Sequence, residues 1–93
     1  MIPNGWTTVE NYAFASCTGF TGLSIPSTVT SIQNAAFRGC TGFTGDLVIP
    51  NSVTVIEEDA FSSCTGFTGN LVIPSGLVSI EDGVFLQVQW TKW

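Results

Sequence analysis

Three cysteines are the residues whose chemistry and regular spacing first suggest a function. Cys17, Cys40 and Cys64 each begin the same six-residue segment, Cys-Thr-Gly-Phe-Thr-Gly. Regularly placed thiols can bind a metal ion or form a disulfide, but the chain has no histidine and no Cys-x-x-Cys pair. Free cysteine is among the most buried residue types, and Val88 takes the equivalent position in the last unit, so we expect a buried structural column. A disulfide between neighbouring units and a metal site remain the alternatives.

Acidic side chains recur in the same way. Glu10, Glu57 and Glu81 share one position of the pattern, and stacked carboxylates are ligands that calcium accepts. The pattern contains no closed loop that would converge them, so we expect a solvated acidic edge. A carboxylate-pair hydrolase needs two acids in one pocket, and a Ser-His-acid triad needs a histidine. We therefore expect a non-enzymatic chain without a metal or other cofactor.

Threonines form two further repeated positions in the glycine-containing turns. A flat threonine array on a repeat protein is an alternative ice-binding surface, but a Gly-Phe pair separates the two positions. We expect these threonines to form turns and to hydrogen-bond from one unit to the next. They are Thr18, Thr41, Thr65, Thr21, Thr44 and Thr68.

Charge and length exclude other classes of function. The net charge is -5, and Arg38 and Lys92 are the two cations among 93 residues. Nucleic-acid binding needs clustered cations, so no nucleic-acid partner is expected. No apolar stretch approaches the roughly 20 residues of a membrane span, and the start of the chain does not resemble a secretion signal. The length predicts one small domain that buries about 60% of its unfolded surface.

The elements that position these residues follow from an internal repeat. Periods of 20 to 50 residues specify stacked repeat architectures. We predict a solenoid of about four coils over residues 1–88, followed by a tryptophan-containing tail or cap at residues 89–93. The repeat is marked by four prolines and by a phenylalanine eleven residues after each, namely Pro3, Pro26, Pro50 and Pro74 with Phe14, Phe37, Phe61 and Phe85.

Each coil is predicted to contain two short extended pieces and one helical turn. Triplets such as Leu47-Val48-Ile49 suit a strand with its outer residues inward and its middle residue outward. The equivalent triplets are residues 23–25 and 71–73. A second extended piece is expected at residues 29–32, 53–56 and 77–80, and helical turns at 33–38, 57–62 and 81–85. Stacked coils about 4.8 Å apart place equivalent residues in columns, including Phe14 to Phe85 and Phe20, Phe43 and Phe67.

The recurring segments Cys-x-x-Phe, Leu-x-Ile-Pro, Val-Thr-x-Ile and Ala-Phe resemble those of the BspA-like leucine-rich repeat family of bacterial cell-surface proteins. The resemblance covers the chain up to Val88. It implies a right-handed leucine-rich repeat solenoid with a parallel β-sheet on the concave face and short strands and helical turns on the convex face. It also implies an extracellular or cell-surface location and a role in adhesion, with any signal and anchor outside this chain.

The expected binding surface is the concave sheet, because solenoids bind partners on such faces. It consists of Ser24, Asp46, Val48, Asn70 and Val72, and its partner is a protein or a glycan. The alternative is a structural repeat fragment without a ligand, which self-associates through its uncapped ends. We expect Trp90 and Trp93 either to cap the last coil or to pack on another copy in a homo-oligomer.

Overall fold

The computed structural model describes residues 2–85, and within them everything except the side chains of residues 68–71. Six short strands form two parallel sheets. The first sheet has the order β1-β2-β4-β6 and consists of β1 (Thr8–Val9), β2 (Ser31–Ile32), β4 (Val55–Ile56) and β6 (Ser79–Ile80). The second pairs β3 (Gly45–Val48) with β5 (Phe67–Val72). Equivalent residues of successive coils therefore lie beside one another, as the repeat predicts.

The phenylalanine column predicted from the repeat is confirmed. Ring centroids of Phe14 and Phe37 are 5.5 Å apart, those of Phe37 and Phe61 5.2 Å, and those of Phe61 and Phe85 5.9 Å. The rings are nearly parallel, with interplanar angles of 7°, 7° and 11°. Such pairs contribute about 0.5–1.5 kcal/mol beyond the area they bury. The column runs through all four coils and holds them in register.

Two other columns complete the core in the middle coils. Phe43 and Phe67 stack with centroids 5.5 Å apart, and both are fully buried. Phe20, the predicted third member, is 41% exposed, so the first coil contributes less to this column. The isoleucines that precede proline are buried through Ile49, whereas Ile73 in the last coil is 38% exposed. The most completely buried part of the core thus lies between the second and third coils.

The helical turns predicted at residues 33–38, 57–62 and 81–85 are wrong. Residues 2–85 contain no helix, and therefore none that is long and apolar enough to cross a membrane. In these segments alternate N–H groups donate to the next coil, as in Phe37 N to Ala60 O at 2.8 Å. A helix would direct those groups back along its own axis. The backbone instead passes through left-handed conformations at Ala35, Asp59 and Gly83, with φ of 55°, 58° and 73°.

The strand predicted at residues 23–25 is also wrong. Those residues belong to no strand, and the two-stranded sheet begins in the next coil at Gly45. The second coil has one residue fewer between Gly22 and Leu23 than the later coils have before Leu47 and Leu71. That missing residue shifts the hydrogen-bonding groups out of phase with β3, because the strand period is two. The second extended pieces, by contrast, pair in all four coils and form the four-stranded sheet.

Candidate functional site

Val48 and Val72 form an exposed apolar pair on the β3–β5 sheet. Their Cα atoms are register partners, and their side chains are 54% and 46% exposed. The neighbouring Leu47 and Ile49 are each 1% exposed, so the triplet of residues 47–49 alternates between core and solvent as predicted. A hydrogen bond from Ile49 N to Val72 O, 3.0 Å long, fixes the two strands at this point. Two valines are thereby held side by side at the surface.

The other residues predicted for this face are placed less uniformly. Asp46 is exposed on β3, beside an irregularity in the register between Gly45 and Leu47. Ser24 is exposed in the preceding coil but belongs to no strand. The side chain of Asn70 lies outside the described part of the structure, although its backbone belongs to β5. The structure thus brings together Val48 and Val72, and Asp46 is exposed on the same strand as Val48. We name the exposed surface of Val48 and Val72 the valine face.

Trp90 and Trp93, predicted to cap the last coil or to pack on another copy, lie outside the described residues. The same holds for the boundary between the solenoid and the tail at residues 88 and 89.

The cysteine column is structural for the two inner members. Cys40 and Cys64 are free thiols with no exposed surface, and Cys17 is a partly exposed free thiol. Cys40 Sγ donates to Phe14 O and Cys64 Sγ donates to Phe37 O, both at 2.9 Å. The neighbouring Cys40 thiol raises the pKa of Cys64, and burial raises it further. Cys64 therefore stays protonated and unreactive under neutral conditions.

The repeated acids lie on an exposed edge. Glu10, Glu58 and Glu81 are exposed, and Glu57 is half-buried. Within residues 2–85 there is no group of three or more His, Cys, Asp and Glu side chains arranged to hold a metal ion. The edge is crossed by a hydrogen bond from Asn34 N to Asn11 Oδ1 at 3.0 Å, which links the first and second coils.

Threonine hydroxyls link successive coils through backbone carbonyls. Thr44 Oγ1 donates to Thr21 O at 3.3 Å, as expected for the turn threonines. A third threonine column, beside the four-stranded sheet, was missed in the sequence analysis. There Thr30 Oγ1 donates to Thr7 O and Thr54 Oγ1 to Thr30 O, at 3.1 and 3.4 Å. The Val-Thr pair in each repeat is the sequence signal for this column, because valine is buried and the next residue faces solvent.

A shallow depression at the first coil was also missed. Its volume is about 600 Å³, and it is open to solvent on one side. Trp6 lies in its wall and is 38% exposed, whereas the equivalent Val29 and Val53 are fully buried. The sequence signal for this depression was the tryptophan at a repeat position that is aliphatic in the other coils. The lining residues are Gly5, Trp6, Thr7, Thr8, Glu10, Asn11 and Ala13.

Stacked coils, parallel ladders and continuous internal columns define a leucine-rich repeat solenoid. The sequence matches the model of the BspA type leucine-rich repeat region over residues 1–92, with six copies. The chain belongs to this family, as the motifs predicted. Leucine-rich repeats of this type are typically non-enzymatic, surface-associated and involved in protein binding.

The fold also matches a solved structure. The crystal structure of the Treponema pallidum leucine-rich repeat protein TpLRR superposes with a TM-score of 0.81 at 28% sequence identity. The match covers 92% of this chain and 41% of TpLRR, so the chain spans less than half the length of that protein. No curated protein sequence matches the chain.

Proposed function

We propose that this chain is a non-enzymatic protein-binding module whose contact surface is the valine face, and that it acts in adhesion at a cell surface. The observation that carries the proposal is the pairing of Val48 with Val72, which holds two roughly half-exposed apolar side chains in adjacent positions. Exposed apolar side chains that cluster on a rigid sheet are typical of interaction sites. The family adds protein binding and surface association as its usual properties.

A protein partner fits the valine face better than a glycan does. Sugar recognition uses aromatic platforms with several polar groups, whereas this face presents two aliphatic side chains. An aliphatic side chain of an extended peptide can pack between Val48 and Val72 and exclude water. The net charge of -5 disfavours acidic partners, so the expected partner has an apolar anchor and is neutral or basic.

The test is selection of peptides from a phage-displayed random library on the immobilised chain. We expect enrichment of peptides with aliphatic or aromatic anchors. A Val48→Glu substitution should weaken their binding at least about tenfold, and the Val48→Glu, Val72→Glu double variant should abolish it. Both positions are exposed, so the far-ultraviolet circular dichroism and the melting temperature should stay close to those of the unsubstituted chain.

Val78→Glu is the matched control. Val78 is 79% exposed beside β6, and its substitution adds the same charge and removes the same side chain elsewhere on the molecule. It should leave peptide binding unchanged. Selected peptides that bind equally well to the Val48→Glu variant, or a library that yields no enriched peptide, would overturn the proposal.

A further inference from the structure

The first coil carries aromatic residues where the later coils carry smaller ones. Trp6 occupies the column of Val29, Val53 and Leu77, and Tyr12 occupies that of Ala35, Asp59 and Gly83. Trp6 and Tyr12 are 38% and 62% exposed. Phe20 of the same coil is 41% exposed, although the equivalent Phe43 and Phe67 are fully buried. Tryptophan and tyrosine are the residues most enriched among the energetic centres of protein interfaces.

Gly19 of the first coil has open space beside it. At the equivalent glycines of the inner coils, this space is occupied by the backbone of the preceding coil. A Cβ atom on Gly42 would clash with Thr18 O and Phe20 O of the coil before it, and one on Gly66 with Phe43 O and Thr41 O. The glycine is required there because the backbones approach closely. At the equivalent Gly19 a Cβ atom would meet nothing within 4 Å. The outer side of the first coil therefore retains the shape of a coil-to-coil contact surface.

Hydrogen-bonding groups on that side are complementary to one another. At each contact the later coil donates from its strand, as in Thr30 N to Thr7 O at 2.7 Å and Thr54 N to Thr30 O at 2.9 Å. The turn segment of the later coil accepts hydrogen bonds from the earlier coil, as in Phe14 N to Ala36 O at 2.8 Å. The equivalent groups of the first coil are Thr7 N, a donor, and Ala13 O, an acceptor. One face thus offers both kinds of group, which a two-fold related pairing requires.

The area of this face is sufficient for a dimer. The molecule measures 25 × 25 × 20 Å, and four coils at about 4.8 Å account for the shortest dimension. An end face then covers about 600 Å² per copy, or about 1,200 Å² in a pair, at the lower limit for a specific interface. The face continues the coil-to-coil interface that already recurs inside the chain.

We propose that two copies of this chain form a symmetric dimer through the outer side of the first coil. Trp6, Tyr12 and Phe20 pack across the interface, and backbone of the second copy lies over Gly19. The depression beside Trp6 is filled by the second copy. This interface is separate from the valine face, so neither proposal depends on the other.

Sedimentation velocity over micromolar to millimolar concentrations tests the dimer. The unsubstituted chain should convert from monomer to dimer, without larger species. Gly19→Thr should weaken dimerisation at least about tenfold, because the new side chain occupies the space of the second copy's backbone. The same substitution should leave the melting temperature of the monomer unchanged, since the structure has open space at this position.

Gly22→Thr is the matched control for the same substitution in the same coil. A Cβ atom there meets nothing within 4 Å, and neither does one at the equivalent inner Gly45, so this position faces solvent even where a coil precedes it. It should leave the dimer intact. Trp6→Val, which installs the residue of the inner coils, should weaken the dimer without unfolding the chain.

Three outcomes would overturn the proposal. The first is a monomer at every concentration. The second is a dimer equally stable in the Gly19→Thr and unsubstituted chains. The third is a dimer that dissociates on Trp90→Ala and Trp93→Ala substitution but not on Gly19→Thr, because that result would place the interface at the tail.

Discussion

The rings of Phe37 and Phe61 stack with their centroids 5.2 Å apart and their planes 7° from parallel, although 24 residues separate them in the chain. Both side chains are fully buried. The contact joins the second coil to the third at the centre of the molecule. Because each of these rings is stacked on both sides, the column fixes the register of each coil relative to the next.

We predict that Phe61→Ala destabilises the chain by about 3–5 kcal/mol, through lost burial, lost stacking and a cavity between two rings. Guanidinium unfolding followed by circular dichroism measures this free energy. Phe20→Ala is the control, because this side chain is 41% exposed and its loss should change the free energy of unfolding by about 1 kcal/mol or less in the monomer. Equal effects of the two substitutions would contradict the described core.

Gly42→Ala and Gly66→Ala are each predicted to destabilise the fold by about 3 kcal/mol. The added methyl group overlaps carbonyl oxygens of the preceding coil, and backbone cannot move aside as a flexible side chain does. Gly19→Ala should be neutral or slightly stabilising, since it meets open space and reduces the entropy of the unfolded chain. Thermal unfolding of the three variants at low concentration gives the comparison, and a similar loss at Gly19 would refute this explanation.

Ser16→Gly is predicted to stabilise the chain by up to about 1 kcal/mol. Ser16 has a φ of 60°, and the equivalent residue of the second coil is Gly39, with a φ of 74°. Relief of the left-handed strain of about 1–2 kcal/mol outweighs the entropy that glycine adds to the unfolded chain. Ser24→Gly is the matched control at an exposed serine without positive φ, and it should lower stability by about 0.5–1 kcal/mol. Identical shifts in melting temperature would show that strain is not the cause.

Stability is predicted to fall as the pH rises above about 9. The pKa of Cys64 is raised in the folded chain above its ordinary value of 9.0 by the neighbouring Cys40 thiol and by burial. Above pH 9 the unfolded chain loses the Cys64 proton and the folded chain keeps it, so the unfolded state binds fewer protons. The free energy of unfolding then decreases by about 1.4 kcal/mol per pH unit. Chemical denaturation from about pH 9 to about pH 10.5 measures this slope.

Cys64→Val is the control for that slope. Valine fits a buried apolar position, and the substitution should remove most of the decline with pH while lowering stability at pH 7 by about 1 kcal/mol, the value of the lost hydrogen bond to Phe37 O. A variant that retains the full decline would show that another group is responsible.

Much of this fold follows from residue spacing alone. The eleven-residue spacing from proline to phenylalanine and the Leu-x-Ile repeat predict which side chains stack. Phe37, Phe61 and Leu47 lie in the core as expected, and Phe14 packs against it. Counting residues is sufficient to predict these contacts, because residues one repeat apart in the sequence lie next to each other in stacked coils. The exposure of Val48 beside the buried Leu47 and Ile49 follows from strand alternation in the same way.

The local backbone was harder to predict. The turns of residues 33–38 contain Ala35 in a left-handed conformation, which alanine rarely adopts outside an imposed context. That context is the bond from Ala35 N to Glu58 O of the next coil, and propensity within one repeat cannot show it. Gly39 and Gly83 both have a positive φ, and these glycines were the signs in the sequence that the turns contain left-handed backbone. The depression beside Trp6 was missed because the repeat alignment emphasises what the coils share.

The most direct test of in-register stacking is a nuclear Overhauser experiment on the chain with site-selectively labelled phenylalanine rings. The centroid distances of 5.5, 5.2 and 5.9 Å predict ring-to-ring signals from Phe14 to Phe37, from Phe37 to Phe61 and from Phe61 to Phe85. Signals of Phe37 and Phe61 confined to residues of their own coil would contradict the stacked solenoid and every prediction that depends on it.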